Sequence, residues 1–335
     1  MNVLVTGANG FIGHHLCETL AEMEVKVMAL SRQTKPERLE GLKSHPRFSI
    51  LTGDITKPAV ARKIFSQNKI DVVFHLAVAP PSTSGQETHF PDLEDLPEYR
   101  TNFLGTFYLY RETVRSGISG WIQSSTMSVY DFNHPQYLPV DELHPTAPTE
   151  PYGFTKLLAE ELCRYLGRAA RIPTILLRYS GVYGKGKQQG LIARFVANCF
   201  SDTPQSIQAA PNRTSDFVYV GDVVKANVLA LQSITSPAFK NSAHSPERLI
   251  RVYNIGSGEE ISAAETCHLI NELCGSRAKV IEKASEQSRR FYFEISAARK
   301  ELGYRPMSFR EGLIHYIDSF RKTGYGVQPL RGHSQ

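Results

Sequence analysis

Two kinds of apolar segment alternate along the first half of the chain. Short runs of β-branched and aromatic residues predict strands, and segments with apolar positions three and four residues apart predict helices. The predicted strands are residues 3–6, 25–30, 48–51, 71–77, 121–124 and 174–178, and the predicted helices are residues 13–23, 102–115 and 151–168. Strands such as the one containing Val72, Val73 and Phe74 are apolar on both faces, as helix-covered parallel strands are. The pattern predicts an α/β fold with a Rossmann-type doubly wound parallel sheet.

The distribution of glycine and proline along the chain changes after residue 180. Glycines and prolines then cluster at Gly181, Gly184, Gly186, Gly190, Pro204 and Pro211. Strand and helix patterns return in residues 216–231 and 252–258, so the chain is expected to rejoin the main sheet. We therefore predict a dinucleotide-binding Rossmann domain from residues 1–179 and 216–258, a smaller C-terminal α/β substrate lobe from 180–215 and 259–322, and a flexible tail at 323–335.

The composition is that of a globular protein: 41% of the 335 residues are hydrophobic and 21% are charged. No apolar run approaches the roughly 18–20 residues of a bilayer crossing. Met1 leads into apolar residues without a basic leader, so we expect neither export nor a membrane partner. The five cysteines are odd in number and lack zinc-site spacing, which predicts reduced thiols, a cytoplasmic location and no metal.

The net charge of +5 comes from the C-terminal region, where residues 277–331 carry twelve Lys or Arg and six Asp or Glu. These basic residues occur at helix-like intervals, not in a compact run with stacking aromatics. We therefore expect no nucleic-acid partner. A solvated face or a pocket for a small anion accounts for the excess.

A glycine-rich turn follows the first predicted strand and places Gly7, Gly10 and Gly13 where a helix opens. In this context the glycines permit a tight turn, close approach of backbone to a pyrophosphate, and close packing of helix on strand. The helix N-terminus adds N–H donors and a positive dipole. The turn predicts a dinucleotide site, with a glycine turn that binds no ligand as the alternative.

The end of the second strand bears on the choice of cofactor. An acidic residue is usual there and accepts from the adenosine ribose, but this strand ends in Ser31 and Arg32. A guanidinium suits a ribose 2′-phosphate. The sequence favours NADP over NAD, which stays possible, and an exposed surface arginine is the alternative reading.

Tyr152 and Lys156 lie four residues apart at the start of a predicted helix, so they share one face. An ammonium near a phenol is expected to lower its pKa from about 10 and make it a usable acid or base. A second match to the pattern, Tyr183 with Lys187, lies among glycines and is not expected to be helical. We favour the first pair, against the alternative of a surface Tyr and Lys.

Hydroxyl side chains end the strand before that helix, at Ser124, Ser125, Thr126 and Ser128. Substrates of open α/β sheets bind at this carboxyl edge of the strands. One of these hydroxyls is expected to hold the substrate oxygen against Tyr152. The alternative is a serine-rich loop whose hydroxyls bond its own backbone.

Together these motifs resemble the extended short-chain dehydrogenase/reductase family, the NAD(P)-dependent epimerases and dehydratases that act mainly on nucleotide sugars. The resemblance runs over residues 1–317, with the motifs in the family's order. It is carried by the glycine turn, by Gly53-Asp54-Ile55, His75-Leu76-Ala77, Asn102, Val129-Tyr130, Tyr152 and Lys156, by Asp216-Phe217-Val218-Tyr219-Val220 with Asp222, by Tyr253-Asn254-Ile255-Gly256-Ser257-Gly258, and by Leu302-Gly303-Tyr304-Arg305-Pro306.

The resemblance implies specific site residues. Catalytic roles fall on Thr126, Tyr152 and Lys156, with Thr126 chosen over Ser124 and Ser125. The implied cofactor contacts are Gly7, Asn9, Gly10, Phe11, Ile12, Gly13, Ser31, Arg32, Asp54, Ile55, Leu76, Ala77, Val78, Asn102, Tyr152, Lys156 and Tyr179, and the implied substrate contacts are Thr126, Met127, Ser128, Arg213 and Arg289.

The chain departs from the family at a few positions. Dehydratases carry an Asp-Glu pair after the catalytic threonine, whereas this chain has Met127 and Ser128, which argues against dehydration. Ser215 stands where an arginine often binds the substrate diphosphate, with Arg213 two positions away. Asp131 replaces a usual glycine, and Gly221 a usual aspartate. These changes weaken the nucleotide-sugar assignment but leave the redox residues in place.

The leading expectation is a C4 epimerase of a nucleotide sugar that works through a 4-keto intermediate. An NADPH-dependent 4-keto-sugar reductase and a non-sugar carbonyl reductase are the enzyme alternatives. A non-catalytic NADP-sensing protein is the remote one, since it would not need the Tyr-Lys pair. The family resemblance also implies a homodimer.

Overall fold

A seven-stranded parallel sheet forms the centre of the computed structural model, which describes residues 1–81, 92–187, 189–209, 213–242, 249–284 and 289–323. Its strands in chain order are β1 (Asn2–Thr6), β2 (Lys26–Ser31), β3 (Phe48–Thr52), β4 (Val72–His75), β5 (Gly120–Thr126), β6 (Thr174–Tyr179) and β11 (Ile250–Ile255). They are ordered β11-β6-β5-β4-β1-β2-β3. The predicted Rossmann-type α/β fold is confirmed.

Helices cover both faces of this sheet, which explains why its strands are apolar throughout. The α-helices are α1 (Phe11–Glu22), α2 (Pro58–Gln67), α3 (Thr106–Ser116), α4 (Pro151–Ala170), α5 (Leu191–Phe200), α6 (Val220–Thr235), α7 (Pro237–Ser242), α8 (Ala263–Cys274) and α9 (Phe309–Thr323). One buried cluster includes Val5, Phe74 and Ile122, and the other includes Leu4, Val73 and Trp121. Successive residues of a strand thus enter different clusters.

Three two-stranded sheets follow in the second half of the chain. They pair β7 (Gly181–Tyr183) with β10 (Phe217–Tyr219), β9 (Thr214–Ser215) with β12 (Ile261–Ser262), and β8 (Gln205–Ala209) with β13 (Val280–Ala284). A third buried cluster joins α5, α8 and α9 through residues such as Phe195, Ile270 and Leu313. The chain rejoins the main sheet with β11. The domain boundaries themselves remain a prediction.

Several predicted elements differ from those observed at their ends. β4 ends at His75, two residues before the predicted end, whereas β5 ends at Thr126, two residues after it. The helix predicted over residues 102–115 is a π-helical segment, Tyr99–Gly105, that continues into α3. Residues 324–335 of the predicted tail lie outside the described residues.

Other short helical segments are Glu37–Leu42, Leu93–Asp95, Met127–Val129 and the π-helical Ala298–Leu302. Within the described ranges, no helix is both long and apolar enough to cross a bilayer.

Candidate active site

The glycine turn connects β1 to α1 beneath the loop that follows β4. Gly7 has φ of +65°, a conformation that favours glycine, and a Cβ there would lie 2.7 Å from the Ala77 backbone. α1 begins at Phe11, and no side chain caps its N-terminus. The turn therefore leaves helix N–H groups available for an anionic ligand.

Two cavities meet at this turn and share Gly7, Gly10, Leu76 and Val78 in their walls. The larger has a volume of about 500 Å³ and extends along the carboxyl ends of β5 and β6 to α5. The smaller, of about 300 Å³, lies over the ends of β2 and β3. Together they occupy the sheet edge where open α/β folds bind ligands.

The smaller cavity contains the residues predicted for the adenosine end of a cofactor. Its wall includes Asn9, Ser31, Arg32, Asp54, Ile55 and Ala77 among those predicted, and Gln33, Gly53 and Thr101 in addition. Arg32 is exposed at its rim. The amide of Asn9 donates to the side-chain oxygen of Gln33, which ties the glycine turn to the segment after β2.

The larger cavity brings the three predicted catalytic residues together. Thr126 ends β5, and Tyr152 and Lys156 lie on the first turns of α4. Burial raises the pKa of Tyr152, and the adjacent Thr126 side chain opposes that rise. Thr126 also caps the next turn, its hydroxyl accepting from the Ser128 N–H at 3.2 Å. Phe11, Ile12, Gly13, Met127, Ser128 and Tyr179 line the same cavity, as predicted.

Lys156 is buried, and its Nζ donates to the Ser124 carbonyl oxygen at 2.5 Å. Burial lowers the pKa of Lys156 to about 8, although the nearby Glu160 carboxylate raises it. His75 lies below, held between the hydroxyls of Thr6 at 2.8 Å and Thr106 at 2.9 Å. Burial, with the Lys156 charge, lowers the pKa of His75 to about 3, so the imidazole is neutral near pH 7.

The expectation that Lys156 lowers the pKa of Tyr152 is wrong for the protein by itself. Burial raises the pKa of Tyr152 to about 12, and the Thr126 side chain only partly opposes that rise. Lys156 is directed at the Ser124 carbonyl oxygen. Tyr152 is therefore a protonated phenol at neutral pH: it holds a proton that it can donate, although its raised pKa makes it a weaker acid than a free phenol.

Asn102 does not take the position predicted for it. Its side chain lines neither cavity. Its Oδ1 accepts from the Ala79 N–H at 2.9 Å, and its Nδ2 donates to the Thr155 hydroxyl at 3.1 Å. Asn102 thus fastens the loop after β4 to α4, between the two cavities.

Tyr183 is confirmed as non-helical, since it ends β7. Its ring borders the larger cavity, but its hydroxyl donates to the Phe309 carbonyl oxygen at 3.2 Å. Burial raises the pKa of Tyr183 far above its usual value. Its phenol therefore serves the contact between β7 and α9.

Arg213 and Arg289 lie side by side but outside the wall of the larger cavity. The Thr214 N–H, next to Arg213, donates to the Arg289 carbonyl oxygen at 2.7 Å, and the Arg289 guanidinium donates to Ser215 Oγ at 3.1 Å. The Nε of Arg289 is buried and has no hydrogen-bond partner among the described residues. The Arg289 guanidinium therefore contacts Ser215, the position at which the family often has an arginine, from a distant part of the chain. The sequence did not indicate this contact.

Sequence reasoning missed several residues of this region. The larger cavity is also lined by Ser180, Val182, Lys187, Leu191 and Phe217. Glu160 and Arg178 form a buried ion pair behind the predicted catalytic residues, at 2.6 Å. Two features of the sequence could have indicated the pair. Arg178 is a charged residue on the otherwise apolar strand β6, and Glu160 is a second charged residue, four positions after Lys156 on α4. Among the described residues, no cluster of His, Cys, Asp or Glu could hold a metal ion.

Comparison with known sequences gives consistent matches. The profile of the NAD dependent epimerase/dehydratase family matches residues 3–256. A Methanocaldococcus jannaschii protein, provisionally named a UDP-glucose 4-epimerase, is 30% identical over 323 residues, which cover 94% of this chain and 97% of that protein.

Solved structures with the same fold include two epimerases with bound sugar nucleotides. The UDP-glucose 4-epimerase of Thermotoga maritima, solved with UDP-glucose, has a TM-score of 0.81 at 26% identity and covers 96% of this chain and 99% of its own. The UDP-glucuronic acid 4-epimerase of Bacillus cereus, solved with UDP-glucuronic acid and NAD, has a TM-score of 0.80 at 27% identity and covers 96% and 100%.

Proposed function

The chain belongs to the NAD-dependent epimerase/dehydratase family and is an enzyme of that family, and we propose that it is a C4 epimerase of a nucleotide sugar. The observation that carries the proposal is the cluster of Thr126, Tyr152 and Lys156 in one cavity with the glycine turn. Met127 and Ser128 take the place of the dehydratase acid pair, so the proposal is epimerisation without loss of water.

The residues present fit a dinucleotide. The Gly7 turn, the uncapped start of α1 and the two adjoining cavities suit a pyrophosphate with a nucleoside on each side. The adenosine half would lie by Arg32, Asp54 and Ile55. When bound, NAD(P) supplies the hydride acceptor and donor for oxidation and reduction at a carbinol carbon.

The chain's own residues handle the proton at the substrate oxygen. Tyr152 exchanges a proton with the C4 oxygen, and the Thr126 hydroxyl holds that oxygen by a hydrogen bond. In the reducing half-reaction Tyr152, which is protonated at neutral pH, donates its proton to the oxygen of a 4-keto group. Lys156 is held at Ser124 and places a positive charge beside the reacting oxygen.

The walls of the larger cavity support a substrate with an apolar and a charged side. Val182, Leu191 and Phe217 offer apolar surface, and Lys187 brings a cation. Arg213 and Arg289 are proposed to bind the diphosphate, because guanidinium forks suit phosphate oxygens and the buried Nε of Arg289 has a donor to offer. The two relatives solved with UDP-sugars support this substrate class.

The cofactor preference is part of the proposal. Arg32 at the rim of the adenosine cavity, with no carboxylate at the end of β2, supports NADP. The Bacillus cereus epimerase was solved with NAD, which keeps NAD as the second candidate. An NADPH-dependent 4-keto-sugar reductase remains the second function, since NADP suits an enzyme that releases its cofactor each turnover.

A homodimer is also a proposal. Val114 of α3 and Phe154 and Tyr165 of α4 are exposed, with Tyr165 71% exposed. α3 and α4 neighbour each other on one face of the sheet, so a second copy could cover these side chains together.

Binding of a nucleoside diphosphate tests the substrate class. We expect millimolar UDP or dTDP to raise the melting temperature of the purified protein, because a ligand that binds only the folded state stabilises it. Arg289→Ala should abolish most of that rise. Arg290→Ala is the matched control, since Arg290 is exposed and pairs with Glu260 at 2.7 Å. No rise with either nucleotide in the wild type would contradict a nucleotide-sugar substrate and favour a non-sugar carbonyl reductase.

A further inference from the structure

A buried ion pair lies directly behind the catalytic residues. Glu160, on α4, and Arg178, on β6, are both almost fully buried. The Arg178 fork donates to the two carboxylate oxygens from Nε at 3.0 Å and from Nη2 at 2.6 Å. Burial alone would raise the pKa of Glu160, but Arg178 outweighs it and holds that pKa below its usual range. Glu160 is therefore an anion at neutral pH.

Two further side chains contact the Glu160 carboxylate: Arg164, whose Nη2 lies 3.6 Å from it, and Ser125, which connects the pair to the strand that carries Thr126. The Ser125 hydroxyl donates to the Glu160 carboxylate at 2.5 Å. Ser125 lies between Ser124, whose carbonyl oxygen accepts from Lys156, and Thr126, whose side chain lies beside Tyr152. The end of β5 is thus held from behind at the one residue that separates these two contacts.

Arg178 extends the same network toward the loop after β5. Its Nη1 donates to the Tyr130 hydroxyl at 2.6 Å, and that hydroxyl donates to Asn254 Oδ1 at 3.0 Å. The Arg178 guanidinium also lies 4.9 Å from the centre of the Tyr130 ring. Since Tyr130 follows the cavity-lining turn Met127–Val129, the pair fixes both ends of that turn.

Glu160 also sets the charge around Lys156, from one helical turn away. The titratable or charged groups that face Lys156 are Glu160 and Cys163 of its own helix and His75 of β4. Burial raises the pKa of the Cys163 thiol, and His75 is neutral, so at neutral pH Glu160 is the ionised group among them.

Fold stability alone is a weak reason for such a pair. Replacing a buried ion pair with well-packed apolar residues is often neutral or stabilising, whereas removing one partner is costly. We propose that Glu160, through Arg178 and Ser125, is a positioning residue that holds the Ser124–Thr126 backbone in place and keeps Lys156 protonated during turnover. The inference rests on the proposed function for its kinetic consequences.

Glu160→Gln tests the proposal, because it keeps the side-chain shape and removes the charge. We expect kcat to fall about tenfold or more, with the cofactor Kd within about twofold, because Glu160 touches neither cavity. The alkaline limb of the kcat profile should move to lower pH by roughly half a unit or more, because losing the carboxylate disfavours the Lys156 ammonium. Glu112→Gln is the matched control, a buried carboxylate that pairs with Arg111 and Arg115 on α3.

A readout that needs no turnover is the NMR titration of the lysine ε-carbons. Lys156 should titrate near its pKa of about 8 in the wild type. It should titrate at lower pH in Glu160→Gln and be unchanged in Glu112→Gln. If the wild type turns over no sugar nucleotide, the proposed function fails and this titration still decides the inference. An unchanged Lys156 titration in Glu160→Gln would overturn it.

The double variant Glu160→Met with Arg178→Met separates positioning from stability. It removes both charges of the pair together, and Arg164 keeps its ion pair with Glu161 at 3.2 Å, so we expect a melting temperature near that of the wild type with kcat still low. If Glu160→Gln proves too unstable to purify, Ser125→Ala takes its place as the test. Ser125→Ala removes one hydrogen bond only and should lower kcat several-fold. Recovery of both melting temperature and kcat in the double variant would mean that the pair serves the fold alone.

Discussion

Two tyrosines of the chain are each followed four residues later by a lysine, and their side chains have different neighbours. Tyr152 lies beside the Thr126 side chain in the wall of the larger cavity, whereas the Tyr183 hydroxyl donates to the Phe309 carbonyl oxygen. We expect Tyr152→Phe to lower turnover by roughly 10²- to 10⁴-fold, the loss typical of a general acid or base. Dinucleotide affinity, measured by fluorescence titration, should stay within about threefold.

Tyr183→Phe is the internal comparison for that variant. It removes one hydrogen bond between β7 and α9, which costs about 1 kcal/mol of unfolding free energy, and should leave turnover nearly unchanged. Comparable losses of turnover in both variants would mean that proton transfer has been assigned to the wrong tyrosine.

Arg32 decides the cofactor preference at the same scale. Charge-assisted hydrogen bonds to a ribose phosphate contribute about 1.5–3 kcal/mol, and NAD cannot form them. Arg32→Ala should therefore weaken NADP binding about tenfold or more and leave NAD binding within about twofold, as titrations of both cofactors will measure. Equal changes in NADP and NAD affinity would mean that Arg32 is an exposed surface residue that does not select the cofactor.

At the scale of elements, the position of α4 depends on one glycine inside the Tyr-Lys motif. A Cβ at Gly153 would lie 2.0 Å from the Ser128 carbonyl oxygen. α4 can therefore approach the cavity-lining turn after β5 only because residue 153 lacks a side chain. Tyr152, its neighbour, reaches Thr126 for the same reason.

Gly153→Ala should separate α4 from that turn. We expect a loss of about 1–3 kcal/mol of unfolding free energy, the usual cost of overpacking, and a fall in kcat beyond what the stability loss explains. Chemical denaturation and steady-state kinetics measure the two effects. Gly41→Ala is the control, because nothing lies within 4 Å of a Cβ there. A Gly153→Ala variant as active and stable as Gly41→Ala would contradict this account of α4.

The elements of the sheet were predictable from sequence, whereas the links between them were not. Strands apolar on both faces and alternating with amphipathic helices have one common solution, the doubly wound sheet. Asn102 was expected at the cofactor, but it bonds Ala79 and Thr155, 23 and 53 residues away. The contact from Arg289 to Ser215 spans 74 residues. Periodicity and local motifs carry no information on contacts at such separations.

The prediction that the pKa of Tyr152 is lowered was wrong for a related reason. Spacing on a helix places Lys156 on the same face as Tyr152, but it does not reveal that the Ser124 carbonyl oxygen takes the ammonium or how deeply the phenol is buried. Both depend on how β5 packs against α4. Burial therefore determines the direction of the Tyr152 pKa shift, whereas the prediction from sequence considered only the charge of Lys156.

For the whole molecule, the glycine turn, the cluster of Thr126, Tyr152 and Lys156, and the larger cavity lie along one sheet edge, and we propose that they serve dinucleotide binding, proton transfer and sugar-nucleotide binding. If these act together, the enzyme inverts a carbinol carbon and leaves the cofactor unchanged after each cycle. A reductase with the same residues would consume one cofactor for each product formed. The two functions therefore differ in what happens to the cofactor over many turnovers.

The most direct measurement is a proton NMR time course of the protein with its cofactor and, separately, UDP-glucose, UDP-glucuronic acid and dTDP-glucose. We predict that at least one of them equilibrates with its C4 epimer over many turnovers with no net change in cofactor absorbance at 340 nm, and that Tyr152→Phe is at least about a hundredfold slower. Absence of a C4 epimer from all three, or product formed only in proportion to cofactor consumed, would contradict the proposal.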